Sequence, residues 1–443
     1  MNSSFVAEKL ARMRRAALLR EAEVDRLARQ VNPTTGGRGG VAGLFGNPLT
    51  YLFLSSFVIL FVGMGLFPVL PVYAAQFGAT RTVIGVYFAL MYAANAAGSM
   101  LTNRLAGWLT HRGLFVAAGA AGIPALLLVG QATALWQVMV LTSIVWFCGG
   151  VLLALINVFT GLYAGNGSRG KSFSLMFLAF PLGAIFGGTT VSGLIAETSY
   201  YTLFVVLAAV WAALPLVGVL RFKSRHDSKA RRRAMASQGA PLGPVFVRLL
   251  IIAVVSALAI NIGRLGTALS MQAQDFAASD IASTATVSGL LAMPAVMAIG
   301  ALSDRLGRQK FLMVSFAAAA GGSITLAMAT ELWMFWLAAT LTLVALCTNG
   351  ALLSALIADR LPASSMERGL PWIHGMSPIA GTVGFLGIGY AMDMWGQGVV
   401  YVAAAAMAVL AAMLLWSVGQ ARKSQSYRSS GAQTAVAPIG KTA

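Results

Sequence analysis

Twelve long apolar runs, most of them free of charge, constrain this chain more than any other feature of its sequence. A helix rises 1.5 Å per residue, so roughly 20 apolar residues cross the ~30 Å hydrocarbon layer of a bilayer. The runs fall at about 49–75, 84–108, 114–132, 136–163, 172–195, 200–221, 246–270, 285–302, 311–330, 332–357, 371–392 and 399–419. Lipid offers the backbone no water to bond, so only helices or a closed barrel can span it. Barrel strands alternate apolar and polar residues over about ten positions, and that alternation is absent. The expected fold is an all-α integral membrane protein of twelve transmembrane helices.

The charges agree with this reading. In a soluble chain a net charge of +18 would point to nucleic acid. Here 28 of the 31 Lys and Arg lie in the termini and in the loops after even-numbered spans, and the opposite loops hold Arg81 beside Glu197, Asp275, Asp280, Glu331 and Asp393. Lys and Arg mark the cytoplasmic loops of membrane proteins. Both termini are therefore expected in the cytoplasm, across a cytoplasmic (inner) membrane, and the basicity reflects topology rather than nucleic-acid binding. Cys148 and Cys347 both fall inside spans, which implies no disulfide framework. No cleavable signal peptide is expected before the first span, which would serve as its own insertion signal.

Two polar breaks organise the chain. Residues 1–47 contain "SSFVAEKLARMRRAALLREAEVDRLARQVNP", in which Val6, Leu10, Met13, Ala17, Val24, Leu27 and Val31 recur at helical spacing opposite Arg12, Arg15, Arg26 and Arg29. Such a helix suits an anionic inner leaflet or a helical protein partner, and a glycine-rich linker tethers it flexibly. The basic loop 223–245 separates a first six-span unit, 48–222, from a second, 246–420, and residues 421–443 form a tail. The halves repeat: Cys148 and Arg169-Gly170 recur as Cys347 and Arg368-Gly369, at one offset of 199 residues. In transporter folds, parallel halves of this kind enclose a binding cavity near the midplane.

The eighth apolar run ends in "GALSDRLGRQK", four charges in eleven residues. Gly300-x-Leu302-x-Asp304-Arg305-x-Gly307-Arg308 resembles the loop motif of the major facilitator superfamily, and the resemblance covers roughly residues 48–420. It implies a secondary transporter in which Asp304 helps latch the cytoplasmic side closed, with Gly300, Arg305, Gly307 and Arg308 completing the gate. Glycines there permit close helix approach and a tight turn, and an aspartate can pair with cations or a helix N-terminus. The first half departs from the motif, with Gly107 and Trp108 where Asp and Arg usually stand. In the fifth run, Ala179-xxx-Gly183-Ala184-xx-Gly187-Gly188 resembles the antiporter motif of drug-proton exporters, with Ala184 replacing proline; small residues at this spacing also serve helix packing. The arginine such exporters carry in span four is replaced by Val145 and Trp146.

Residues able to do chemistry inside the membrane are few. No Asp or Glu lies in the middle of any span, although intramembrane carboxylates are the usual proton carriers and cation ligands. Arg264 lies about 18 residues beyond Phe246, roughly 27 Å along the helix. It either snorkels to the interface or lines the cavity, where its planar donors would suit a carboxylate or phosphate. His374 near the start of span eleven can titrate near neutral pH. Asn261, Asn95, Asn157 and Asn349 are interhelical partners or cavity ligands. Met293 and Met297 share a helical face and could bind copper(I). No phosphate loop, nucleophile triad, dinucleotide fingerprint or Cys/His metal cluster is found, so neither an enzyme nor a cofactor is expected.

The sequence therefore predicts a carrier that moves a small solute by alternating access, an exporter or an organic-anion carrier. A non-transporting membrane scaffold on the same fold and a copper transporter are the alternatives.

Overall fold

In the computed structural model the chain is described over residues 48–163, 176–221, 244–360 and 363–434, with the side chains of 161–163, 244–245, 304, 357–360, 363–374 and 418–434 outside that description. The N-terminal amphipathic segment, most of the basic loop 223–245 and Arg169-Gly170 also lie outside it.

Fourteen helices make up the described residues. In the first half they are α1 (Pro48–Leu66), α2 (Leu70–Ala75), α3 (Arg81–Trp108), α4 (His111–Val129), α5 (Leu135–Tyr163), α6 (Ala179–Glu197), α7 (Tyr200–Trp211) and α8 (Ala213–Arg221). The second half has α9 (Pro244–Ala273), α10 (Ala278–Leu306), α11 (Arg308–Ala327), α12 (Leu332–Arg360), α13 (Ala363–Trp395) and α14 (Gln397–Thr434). Eleven of the spans meet the length and apolarity needed to cross a membrane over their described residues. The twelfth, α13, begins in residues whose side chains are not described. The all-α fold of twelve membrane helices is the one expected.

Prolines divide two of the spans. Pro68 has no N–H to give the Met64 carbonyl, so α1 ends at Leu66 and the chain restarts as α2. Pro215 likewise withholds a donor from Trp211, where α7 gives way to α8. Where the chain leaves the apolar layer, side-chain caps start the next helix. Thr80 accepts from the Val83 amide at 3.3 Å and Thr110 from the Gly113 amide at 3.1 Å. Gly307 turns between α10 and α11 at φ +100°, a backbone conformation that side chains rarely adopt.

Small residues set how closely the helices pack. A Cβ on Gly187 would overlap the backbone of Phe61 in α1, and one on Gly188 would lie 2.6 Å from the Thr286 amide of α10. The Gly-Ala-Gly-Gly stretch of span five therefore packs α6 against its own half on one side and the opposite half on the other. Two buried aromatic side chains are bonded within their halves, Trp211 Nε1 to the Gly119 carbonyl at 3.0 Å and the Tyr401 hydroxyl to the Gly266 carbonyl at 2.8 Å.

Candidate functional site

The break at Pro68 shapes a cavity. Met64, Phe67 and Pro68 face it from the end of α1 and Ala184 from α6; across from them lie Arg264 and Thr267 of α9, Ser288 of α10 and Thr342 of α12. The cavity thus lies between the two halves, and its volume is about 60 Å³. Arg264 sits nine residues before the end of α9, about 14 Å along the helix at 1.5 Å per residue.

Arg264 points across the cavity into the first half. Its Nη1 donates to the Tyr92 hydroxyl of α3 at 2.6 Å and its Nη2 to the Met64 sulfur at 3.7 Å, while the guanidinium carbon lies 4.0 Å from the centre of the Phe67 ring. Of the two directions the sequence left open, the side chain takes the one into the cavity. No described carboxylate pairs with it. A charged residue in a membrane-spanning helix costs at most roughly 3 kcal/mol on insertion scales. A desolvated cation–π contact contributes about 2 kcal/mol and a hydrogen bond to a charged group about 2 kcal/mol. Neutral groups are therefore enough to hold this guanidinium without an acid.

Toward the face that carries Arg81 and Asp393, aromatic rings close over the site. Phe67, Phe88 and Phe385 pack at centroid distances of 5.1 to 6.1 Å, and Phe385 meets Tyr92 edge-on at 4.7 Å. Phe88 and Phe385 are fully buried. Beyond this plug the halves are joined by polar contacts. Thr82 donates to the Asp393 carboxylate at 2.8 Å and Arg81 lies 3.7 Å from its other oxygen. On the other side of the molecule the Ser192 hydroxyl donates to the Ser279 carbonyl at 2.9 Å and Thr189 meets Thr286 at 3.4 Å. This face is closed.

The remaining sequence candidates are scattered. Asn95 donates to the Trp146 carbonyl at 3.1 Å, tying α3 to α5, and Asn349 donates to Ser256 at 3.0 Å, tying α12 to α9. Asn261 is buried one turn from Arg264, donates to the Ala257 carbonyl at 2.8 Å and leaves its side-chain oxygen without a partner. Asn157 is exposed on α5, and the side chain of His374 lies outside the described residues. Met297 is exposed on α10, and no group of three His, Cys, Asp or Glu able to hold a metal occurs among the described residues. In the α10–α11 loop Arg308 donates to the Ala355 carbonyl at 2.9 Å, Arg305 is exposed, and a Cβ on Gly300 would meet open space. Gly300 thus makes no close helix approach in this conformation. The Asp304 side chain is not described.

Tyr92, Phe67 and Met64 were not singled out from sequence. One signal was available: Tyr92 precedes Asn95 by three residues in an otherwise apolar stretch of span two, which places two polar groups on neighbouring turns. The pairing of Asp393 with Thr82 and Arg81 left only a weaker trace, one acid and one base in loops of opposite halves.

Comparison with known proteins follows the geometry. The family model described as Major Facilitator Superfamily matches residues 52–263 and again 249–441, one match per half. The chain also resembles solved structures of the nucleoside transporter NupG. A point mutant of NupG superposes with a TM-score of 0.69 at 16% identity, covering 84% of this chain and 100% of that one. A second NupG structure gives 0.63 at 17% identity, covering 84% and 98%. At such identities the likeness is one of fold. A search of the curated proteins returns no match. Two family matches, one on each six-span half of a twelve-helix membrane fold, identify this chain as a member of the major facilitator superfamily, and so as a secondary transporter of small solutes rather than an enzyme.

Proposed function

We propose that this chain carries a small anionic solute across the cytoplasmic membrane by alternating access, with Arg264 as the anchor of the anion. The observation that carries the reading is a guanidinium in the cavity between the halves, within a membrane-spanning helix, with no described carboxylate beside it. Arginine presents parallel donors that match a carboxylate or phosphate, and such pairs gain strength where water is excluded. Thr267, Ser288 and Thr342 add hydroxyls around the same cavity. The closed face must open for the solute to pass, and the opposite face must then be latched in turn. The loop Gly300–Lys310 with Asp304 is the candidate for that second latch. The excess of Lys and Arg in the even-numbered loops supports a cytoplasmic location for that loop and for both termini.

The test is uptake into proteoliposomes of a panel of small solutes: succinate, benzoate and inorganic phosphate as anions, glucose and uridine as neutral solutes, and choline as a cation. Saturable uptake is expected among the anions alone. Uptake confined to a neutral or cationic member would refute the proposal.

A further inference from the structure

We infer that Tyr92 is a neutral stand-in for the substrate anion: its hydroxyl occupies Arg264 when the carrier is empty and so allows the empty carrier to close. This deepens the reading of Arg264 as the anion anchor and rests on it. Three observations carry it.

The first is which donors are occupied. A bidentate anion takes both terminal nitrogens of a guanidinium. In this structure Nη1 is committed to the Tyr92 hydroxyl at 2.6 Å and Nη2 to the Met64 sulfur at 3.7 Å, with Phe67 beneath the plane at 4.0 Å. An anion that engages the same fork displaces Tyr92.

The second is where those partners come from. Arg264 belongs to α9 in the second half, whereas Tyr92, Met64 and Phe67 all belong to the first. Separation of the halves removes all three contacts together. They are available only in a closed state, so they stabilise closure as a bound anion would.

The third is space. A cavity of about 60 Å³ is well short of the 300 Å³ or more of a usual ligand pocket. This closed conformation therefore has no room for a solute beside Tyr92, and the hydroxyl fills the position by default. A bare guanidinium without such a partner would make closure of the empty carrier costly, because an unsatisfied buried charge carries its whole desolvation penalty. A phenol is also a weaker partner than a carboxylate, so an arriving anion can displace it.

The experiment measures closure directly and without solute. Spin labels at Gln131→Cys and Glu331→Cys lie on exposed loops of opposite halves at the closed face, while the native Cys148 and Cys347 are buried. Distances between the labels are read by pulsed electron resonance in the full-length protein. Tyr92→Phe keeps the ring and removes the hydroxyl; it is expected to lower the closed-to-open ratio about tenfold, the equivalent of one charge-assisted hydrogen bond, with little change in thermal melting. Tyr92→Glu supplies a resident carboxylate and is expected to shift the ratio the other way, toward closed. A purely structural role for Tyr92 would not reverse sign between these two variants. An unchanged distance distribution in Tyr92→Phe, or opening in Tyr92→Glu, would overturn the inference. Since no solute is present, a failed transport panel would count against the anion reading alone and leave this result to be judged separately.

Discussion

The two seams that join the halves on the closed face both rest on glycines and differ in what is added to them. Between α3 and α13, beside the close backbone approach of Gly85 to Phe385 and of Gly389 to Arg81, the added contacts are ionic and aromatic: Thr82 and Arg81 on Asp393 at the surface, then Tyr92 against Phe385 deeper in. Between α6 and α10 the contacts are glycines, hydroxyls and backbone, with Gly188 against Thr286 and Ser192 on the Ser279 carbonyl. Hydroxyls of the second seam can fall back on their own helix, as Thr189 already does by donating to the Ile185 carbonyl at 2.7 Å. Its small residues let the backbones approach closely. The first seam must break discrete bonds to open, and it lies against the Arg264 site through Tyr92. On the added ionic and aromatic contacts, α3 and α13 are the expected gate and α6 and α10 the expected pivot.

The sharpest way to break this contrast is to fill the pivot. Gly188→Val places atoms where the Thr286 amide and hydroxyl already lie, at 2.6 and 2.7 Å from the Cβ position. Overpacking costs about 1–3 kcal/mol, so the closed population, read by the same spin-label distances, should fall by up to about 100-fold, and transport should fall with it. Closure retained in a well-folded Gly188→Val protein would show that the seam is loose and not a pivot.

A smaller effect is expected at the gate's surface. Arg81 and Asp393 have side chains 39% and 37% exposed, and an exposed ion pair contributes at most about 1 kcal/mol. Asp393→Asn keeps an acceptor for Thr82 and loses the charge. Closure should weaken no more than about fivefold, and the effect should shrink with added salt. A loss as large as that from Gly188→Val would place the main barrier at the surface and contradict the layered gate.

Much of the fold was legible because a bilayer leaves the backbone few options. The twelve apolar runs all fall in helices, eleven of which meet the requirements of a span over their described residues, and the family model matches the chain twice. The divided spans were not anticipated, since hydropathy weighs side chains and does not register the donor missing at Pro68 or Pro215. Helix ends were also missed: α13 starts at Ala363 and α14 runs to Thr434, beyond the apolar stretches at 371 and 419. Apolarity reports the lipid layer, whereas a helix continues for as long as its backbone bonds do. The direction of Arg264 stayed open because α9 is apolar on every side, so its period marks no face for the cavity. Its partners could not be read at all. Tyr92 and Phe67 meet Arg264 across the interface of the halves, about 170 and 200 residues away in sequence, and no local pattern encodes that contact.

The measurement that bears most directly on the site is the affinity for the transported anion in Arg264→Lys and Arg264→Gln, beside expression and thermal melting. If the guanidinium anchors the anion, Lys should keep the charge but lose the parallel fork, and weaken binding about tenfold; Gln should weaken it about 100-fold or more. Unchanged affinity in both variants, with folding intact, would contradict an anion site at Arg264.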